Sequence, residues 1–291
     1  MKIAVAMLCH KNTDQINALL RAMEHDDISF YIHIDKKSSL DRKKLVGKNV
    51  HVLNKDSSVN IQWGGFGMID ATLKLIKEIS ESGQDYDYVW LMSGQDFPLH
   101  TAKEIVEFFT QHNGEDFIEI LQNDDAFNRG YFKRNDLYYP SWMVSDKIYV
   151  KIIKWLFWLL TGGRKATILF KRKTEIEHFY YGSQWWALSR QSIEPIIEFL
   201  SDNPWYLEYF RNSLVPDESF FQTLYGILYD ASRAKPAVCF VSWKKNRNNP
   251  EILTSNDIKK IAEIKNSYLI ARKFDFCVDS SVVKTMMEVG L

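Results

Sequence analysis

The chain has 291 residues, room for one large α/β domain or two small ones, and 46% of them are hydrophobic, ample for a buried core. Its 37 basic and 37 acidic residues cancel, so no global field draws the protein to nucleic acid. The three cysteines, Cys9, Cys239 and Cys277, are odd in number and lack metal-ligand spacing; they read as buried thiols in a reducing compartment, and a zinc site is not expected.

Met1 leads at once into Ile3–Leu8, an apolar run too short for a signal-peptide core plus cleavage site and the right length for a buried strand. No run approaches the ~18–20 apolar residues of a membrane span. The expectation is a cytoplasmic protein, soluble or peripheral at the inner face of the membrane. Asp14–Met23 carries helical spacing through Ile16, Leu19, Leu20 and Met23. Phe30–Ile34 predicts a second strand ending on Asp35, Val50–Leu53 a third and Tyr88–Met92 a fourth, with a helix over Met68–Ile79 between the last two. Strands interleaved with helices predict a mainly parallel, doubly wound α/β sheet flanked by helices. Ligands bind such sheets beyond the carboxyl ends of the strands. That rule groups Cys9-His10-Lys11, Asp35-Lys36-Lys37-Ser38 and Ser93-Gly94-Gln95-Asp96 around one crevice. No G-x-G-x-x-G or Walker loop occurs, which disfavours nicotinamide dehydrogenases and P-loop enzymes.

Asp35 follows a strand and precedes two lysines: it either takes hydrogen bonds from a nucleotide or is a turn acid paired with Lys36 or Lys37. Asp96 either contacts a sugar hydroxyl or caps a helix over Thr101–Thr110; as a lone acid it is a poor site for a hard cation. Trp63-Gly64-Gly65-Phe66-Gly67 is a glycine-rich corner ahead of a helix, either a plain turn or an approach to phosphate.

In the middle third Phe117–Ile120 reads as a strand, and a polar loop with Arg129, Lys133 and Arg134 follows. Tyr149–Lys173 then sets an apolar, Trp-rich run among Lys147, Lys151, Lys154, Arg164, Lys165, Lys171, Arg172 and Lys173. It is either a core helix with solvated lysines or a peripheral membrane contact over 148–173. In the last third Ser189 is a helix start signal, and Pro216-Asp217-Glu218 load a first helical turn with acid. A helix is expected from Asp257 to about Lys265. No linker divides the chain, so one domain is expected, with a nucleotide-sugar half over 1–115 and an acceptor and catalytic half over 116–291.

Six motifs then stand in order: His33-Ile34-Asp35-Lys36-Lys37-Ser38, Trp63-Gly64-Gly65, Ser93-Gly94-Gln95-Asp96-Phe97-Pro98-Leu99, Gly182-Ser183-Gln184-Trp185, Pro216-Asp217-Glu218 and Ala271-Arg272-Lys273-Phe274-Asp275. Together, from about Ile3 to Asp279, they resemble the core-2/I-branching β-1,6-N-acetylglucosaminyltransferase family, glycosyltransferase family 14, which includes peptide O-xylosyltransferases. The resemblance implies a GT-A-type nucleotide-sugar fold and inverting transfer from a UDP-sugar to a glycan or lipid-linked saccharide, without cofactor or divalent metal. It implies Glu218 as general base and Arg272 and Lys273 as cations holding the diphosphate. Asp35, His10, Asp96 and Lys244 fall on the donor side; Glu119, Arg129 and Trp185 fall on the acceptor side.

The residue chemistry agrees with that implication. A sugar hydroxyl needs a carboxylate to take its proton, and a departing UDP needs fixed cations where no metal shares the load. Two departures stand out. The membrane anchor and disulfides of animal members are missing from this sequence, which suggests a bacterial-type enzyme. The arginine the family often carries before Trp243 is replaced by Val238-Cys239-Phe240-Val241-Ser242, leaving Lys244, Lys245 or Arg247 to supply a second cation. The competing readings are a binding protein for carbohydrate or nucleotide without turnover, a UDP-xylose-type transferase of the same family, and a donor hydrolase.

Overall fold

The computed structural model describes residues 1–121, 131–140, 148–160, 171–243 and 249–288. Strand β1 (Ile3–Cys9) is buried along its whole length, as a continuous apolar run is when it sits mid-sheet in a parallel array. Helix α1 (Thr13–Ala22) begins at Asn12, whose side chain accepts the Gln15 N–H at 3.1 Å. Strands β2 (Ile28–Ile34) and β3 (Val50–Val52), helix α2 (Gly67–Glu81) and strand β4 (Tyr88–Ser93) follow in the expected places. Next come a short strand β5 (Asp96–Pro98) and helix α3 (Ala102–Gln111). Thr101 and Glu104 close a reciprocal cap on α3. Asp96 therefore has no capping role.

Beyond α3 come α4 (Phe132–Asp136), α5 (Ile148–Leu160), β6 (Ala187–Ser189), α6 (Arg190–Asp202), α7 (Pro204–Phe210), α8 (Phe220–Leu228), β7 (Cys239–Val241), α9 (Ile258–Ile264), β8 (Ile270–Arg272) and α10 (Val282–Glu288). The main sheet runs β3-β2-β1-β4-β6, parallel throughout except for β6, which pairs antiparallel with β4. A second sheet, β5-β8-β7, sets Asp96 opposite Arg272. Strand order reverses between β1 and β4, so the crevice at their carboxyl ends is the natural ligand site of this topology.

Several expectations need correction. Cys9 and Cys239 are buried as expected, but Cys277 is exposed. Phe117–Ile120 forms no extended strand: Phe117 bridges Ala187 on one side and Lys235 on the other, and beyond it the isolated N–H groups of Ile118 and Leu121 bond the carbonyls of Lys235 and Tyr181. Ser189 stands at the start of α6, but its hydroxyl is taken by the buried Asp116, which also binds Ser192 and Tyr225. Pro216–Glu218 is a 3₁₀ turn, and α8 begins only after Ser219. The helix expected from Asp257 starts at Ile258, behind a 3₁₀ turn over Ser255–Asp257. Helix α5 is no core helix, since most of its described apolar side chains face solvent. Residues of both halves, 1–115 and 116–291, contribute to one hydrophobic cluster.

Candidate active site

At the switch point the chain ends of β1, β2 and β4 are laced together. The Asp35 N–H donates to the Cys9 carbonyl at 2.9 Å, and the Gly94 N–H to the Leu8 carbonyl at 3.0 Å. Gln15, buried beneath them, donates to the carbonyls of Gly94 and Phe274 and accepts from the Phe276 N–H. All three polar groups of one amide are thereby satisfied, and the segment carrying Lys273 is moored against β4.

Cations collect here. Lys11 Nζ lies 2.6 Å from Asp275, and Lys273 is half-buried beside Lys11, Arg272 and His10. Burial, then the charges of Lys11 and Arg272, push the Lys273 amine below its ordinary pKa. Burial and the charges of Lys11 and Lys273 likewise hold His10 below its ordinary value. Asp275 balances part of this charge. Burial raises its carboxyl, but the Lys11 hydrogen bond and the Cys277 N–H outweigh that and leave it below the usual range. A cluster whose members depress one another's affinity for protons is a cluster that an anion stabilises.

Arg272 is differently placed from Lys273. It is buried, with its guanidinium 3.5 Å from Asp96 on one side and stacked 3.9 Å from the Trp185 ring on the other. Asp96 is fully buried and accepts the Ser93 N–H at 2.8 Å. Burial pushes it up to about 6 even though Arg272 opposes the shift. Asp96 is thus enclosed beside Arg272. Trp185 has its ring covered by Arg272 and so presents that face to no acceptor. Lys273 Nζ, in contrast, has no hydrogen-bond or ion-pair partner among the described residues.

The acidic turn forms the other end of the site. Glu218 Oε2 meets Arg134 Nη1 of α4 at 2.5 Å, and the Arg134 guanidinium lies 3.6 Å over the Tyr131 ring. Glu218 Oε1 accepts no hydrogen bond among the described residues. Val215, immediately before the turn, sits at φ 49°, a left-handed conformation that a β-branched residue adopts only under constraint. The constraint is the Val215 N–H bonded to the Gly64 carbonyl at 2.8 Å, with the Leu214 N–H on the Arg134 carbonyl at 2.9 Å. The glycine-rich corner is therefore a brace for the acidic turn.

Gly182–Trp185 joins the two ends. The Gly182 N–H donates to the Glu218 carbonyl at 2.9 Å, the Ser183 N–H to the Glu119 carboxylate at 2.7 Å, and Gln222 to the Ser183 carbonyl at 2.6 Å. A Cβ on Gly182 would fall 1.9 Å from the Glu119 carbonyl oxygen, so only glycine fits. Three residues on, Trp185 carries Arg272. An extended run of that length reaches roughly 10 Å. Glu218 and the cationic pocket thus stand at opposite ends of one short loop.

A sequence profile of the family described as Core-2/I-Branching enzyme matches residues 3–262. The chain belongs to the core-2/I-branching enzyme family. Among curated relatives, the chain is 23% identical over 310 residues to xylosyltransferase 2 of Mus musculus, covering 98% of this chain and 33% of that protein. It is 23% identical over 298 residues to xylosyltransferase oxt of Drosophila melanogaster, covering 94% and 32%. The chain spans about a third of the length of these relatives. Among solved structures, S. aureus TarS 1–349 is 15% identical, covering 51% of this chain and 44% of that one, with a TM-score of 0.28. That likeness is too slight to carry weight, and the fold rests on the strand order above.

In this core-2/I-branching family member, His10, Lys273 and Arg272 come together at the switch point, and Glu119 joins Glu218 across Gly182. Asp35 ends β2, but its Oδ1 takes the N–H groups of Lys37 and Ile61 and its Oδ2 lies 3.8 Å from Lys37 Nζ. The turn-acid alternative is thus realised, with Oδ2 the only oxygen left for a ligand. Arg129 and Lys244, with Lys245 and Arg247, lie outside the described residues. The strand-end rule grouped Lys11 with the crevice, but Arg134 and Gln15 were not picked out as site residues. Arg134 and Gln15 gain meaning only from partners 84 and 79 positions away.

Asp217 provides a pH test of the turn. Part of the residue reaches solvent, but its Oδ1 is sealed without a partner. Burial and the neighbouring Glu218 push its carboxyl up from 3.8 to about 7. The folded state then holds a proton that the unfolded state has released. This stability is fully present below about pH 4 and lost as pH rises through about 7. Asp217→Asn should match the parent's melting temperature near pH 4 and exceed it near pH 8. A difference between the two proteins that does not change with pH would show Asp217 to be ionised in the fold.

Proposed function

We propose that this chain is an inverting glycosyltransferase that moves a sugar from a UDP-sugar to a glycan hydroxyl without a divalent metal. The observation that carries it is the Gly182–Trp185 loop, bonded at one end to Glu218 and stacked at the other on Arg272, beside Lys273, which has no partner among the described residues. An acceptor hydroxyl would donate to Glu218 Oε1 and attack the anomeric carbon. Its oxygen–carbon bond forms as the bond from that carbon to the β-phosphate oxygen breaks on the opposite face, and the proton passes to Glu218. Arg134 keeps the carboxylate fixed through Oε2, so Oε1 is the oxygen left for the incoming hydroxyl. The leaving diphosphate gains charge within reach of Lys273, and Arg272 adds a buried positive charge behind it.

N-acetylglucosamine is the sugar that the motif likeness implies. Xylose is the second reading, favoured by the names of the relatives. A UDP-release assay over a panel of UDP-sugars, with simple saccharide acceptors and with none, tests both. Release with one donor that requires an acceptor and persists in excess chelator supports transfer. Release without acceptor would mark a donor hydrolase, and activity lost to chelator and restored by manganese would overturn the metal-free reading. A donor that raises the melting temperature without any release would mark a binding protein.

A further inference from the structure

Helix α5 presents an apolar surface that the fold leaves uncovered. Ile148, Ile152, Ile153, Trp155, Leu156 and Leu159 are all exposed, Trp155 by 58% and Ile152 by 50%. At 100° per residue these six fall within a sector of roughly 160°. Val150, which is buried, and Lys151, which is exposed, both lie outside that sector. A soluble domain normally buries such a stripe. Charge is equally one-sided, because from Lys147 to Lys173 the sequence carries eight Lys or Arg and no Asp or Glu, in a chain whose net charge is zero.

We infer that α5 is a seat for an anionic lipid bilayer, lying in the interface with its apolar sector among the acyl chains and its lysines at the headgroups. Thirteen residues give a helix roughly 20 Å long, against a hydrocarbon core of about 30 Å, so the helix lies in the surface and does not cross it. No helix among the described residues is long and apolar enough to cross a membrane. The basic surround selects the occupant. Two copies of the segment facing one another would set like charge against like, whereas anionic headgroups neutralise it. Lys151, Lys171 and Lys173 are exposed to reach them, while Arg172 is committed to Tyr209 and Ser213.

The seat also has a defined place relative to the site. The excursion that carries α5 is closed at its base by the Leu137–Lys171 bridge and by the Arg172 N–H on the Asp136 carbonyl. That base is the end of α4, whose Arg134 holds Glu218. A saccharide acceptor carried on a lipid would therefore approach from the α5 side. This last clause alone rests on the transferase reading.

Co-sedimentation with vesicles of phosphatidylcholine and phosphatidylglycerol in equal amounts tests the seat. Binding is expected to those vesicles, to weaken with salt, and to be far poorer with phosphatidylcholine alone. The double variant Ile152→Glu with Leu156→Glu should lose affinity at least about tenfold, while UDP still raises its melting temperature as in the parent. The variant Lys171→Glu with Lys173→Glu, which leaves the helix untouched, should weaken binding to the anionic vesicles specifically. Absence of binding to the anionic vesicles, or binding that both variants leave unchanged, would overturn the proposal. So would a concentration-dependent dimer that the apolar variant dissociates, because a second copy would then be the cover. The UDP melting shift reads the donor pocket separately, so failure of the seat and failure of the transferase reading are distinguishable.

Discussion

Glu218→Gln is expected to lower turnover by about two orders of magnitude or more while leaving the UDP-induced rise in melting temperature intact. The amide is nearly isosteric, and its oxygen can still accept from Arg134, so the strained Val215 turn and the Gly182 bond have no reason to move. What the variant loses is a group able to take a proton from a hydroxyl. The donor should bind normally, because the cationic pocket lies at the far end of the Gly182–Trp185 loop. Single-turnover measurements with saturating donor read the chemical step directly. Turnover within about tenfold of the parent would remove Glu218 as the base. Loss of UDP binding as well would show that Glu218 shapes the donor pocket, contrary to the separation described here.

Lys273→Met should cost about 100- to 1,000-fold in turnover, the range of roughly 3–4 kcal/mol that one preorganised charge donor supplies in a site of this kind. Methionine keeps an unbranched chain of similar reach, so the packing around Gln15 and Phe274 is preserved while the ammonium is removed. UDP affinity should fall too, since the ground-state diphosphate is already charged. The loss in turnover at saturating donor is the part that reports charge developing as UDP departs. Lys273→Arg should restore binding better than turnover, because a planar fork does not replace a point charge. A methionine variant with turnover within a few-fold of the parent would place the leaving-group cation elsewhere, with Lys11 the next to test.

Much of the N-terminal half was legible in the residue order. β1, β2 and β4 are continuous apolar runs, because a strand covered on both faces tolerates little else. His33 shows where that rule needs structure: within β2 it is buried, pushed down to about 4 by burial, and its ring accepts the Val59 N–H. The C-terminal half was read less well. Phe117–Ile120 has strand composition, but its neighbours are single residues on two different segments, and no local pattern announces that. Trp185 illustrates the same limit. An aromatic beside a glycine turn suits sugar stacking, yet the ring here carries Arg272.

Composition and periodicity by themselves determined a mainly parallel α/β chain with its ligand crevice at the strand ends, because burial on two faces and helical amphipathicity are written in short stretches. The ordered motifs likewise determined the family and nominated Glu218 and Lys273. Only the tertiary structure decided which charges are spoken for. Asp96 neutralises Arg272, Asp275 takes Lys11, and Arg134 takes one oxygen of Glu218, pairings between residues 84 to 264 positions apart. Ion pairs depend on distance in space, which the fold alone sets, so the lack of a partner for Lys273 among the described residues could not be read before the chain was folded.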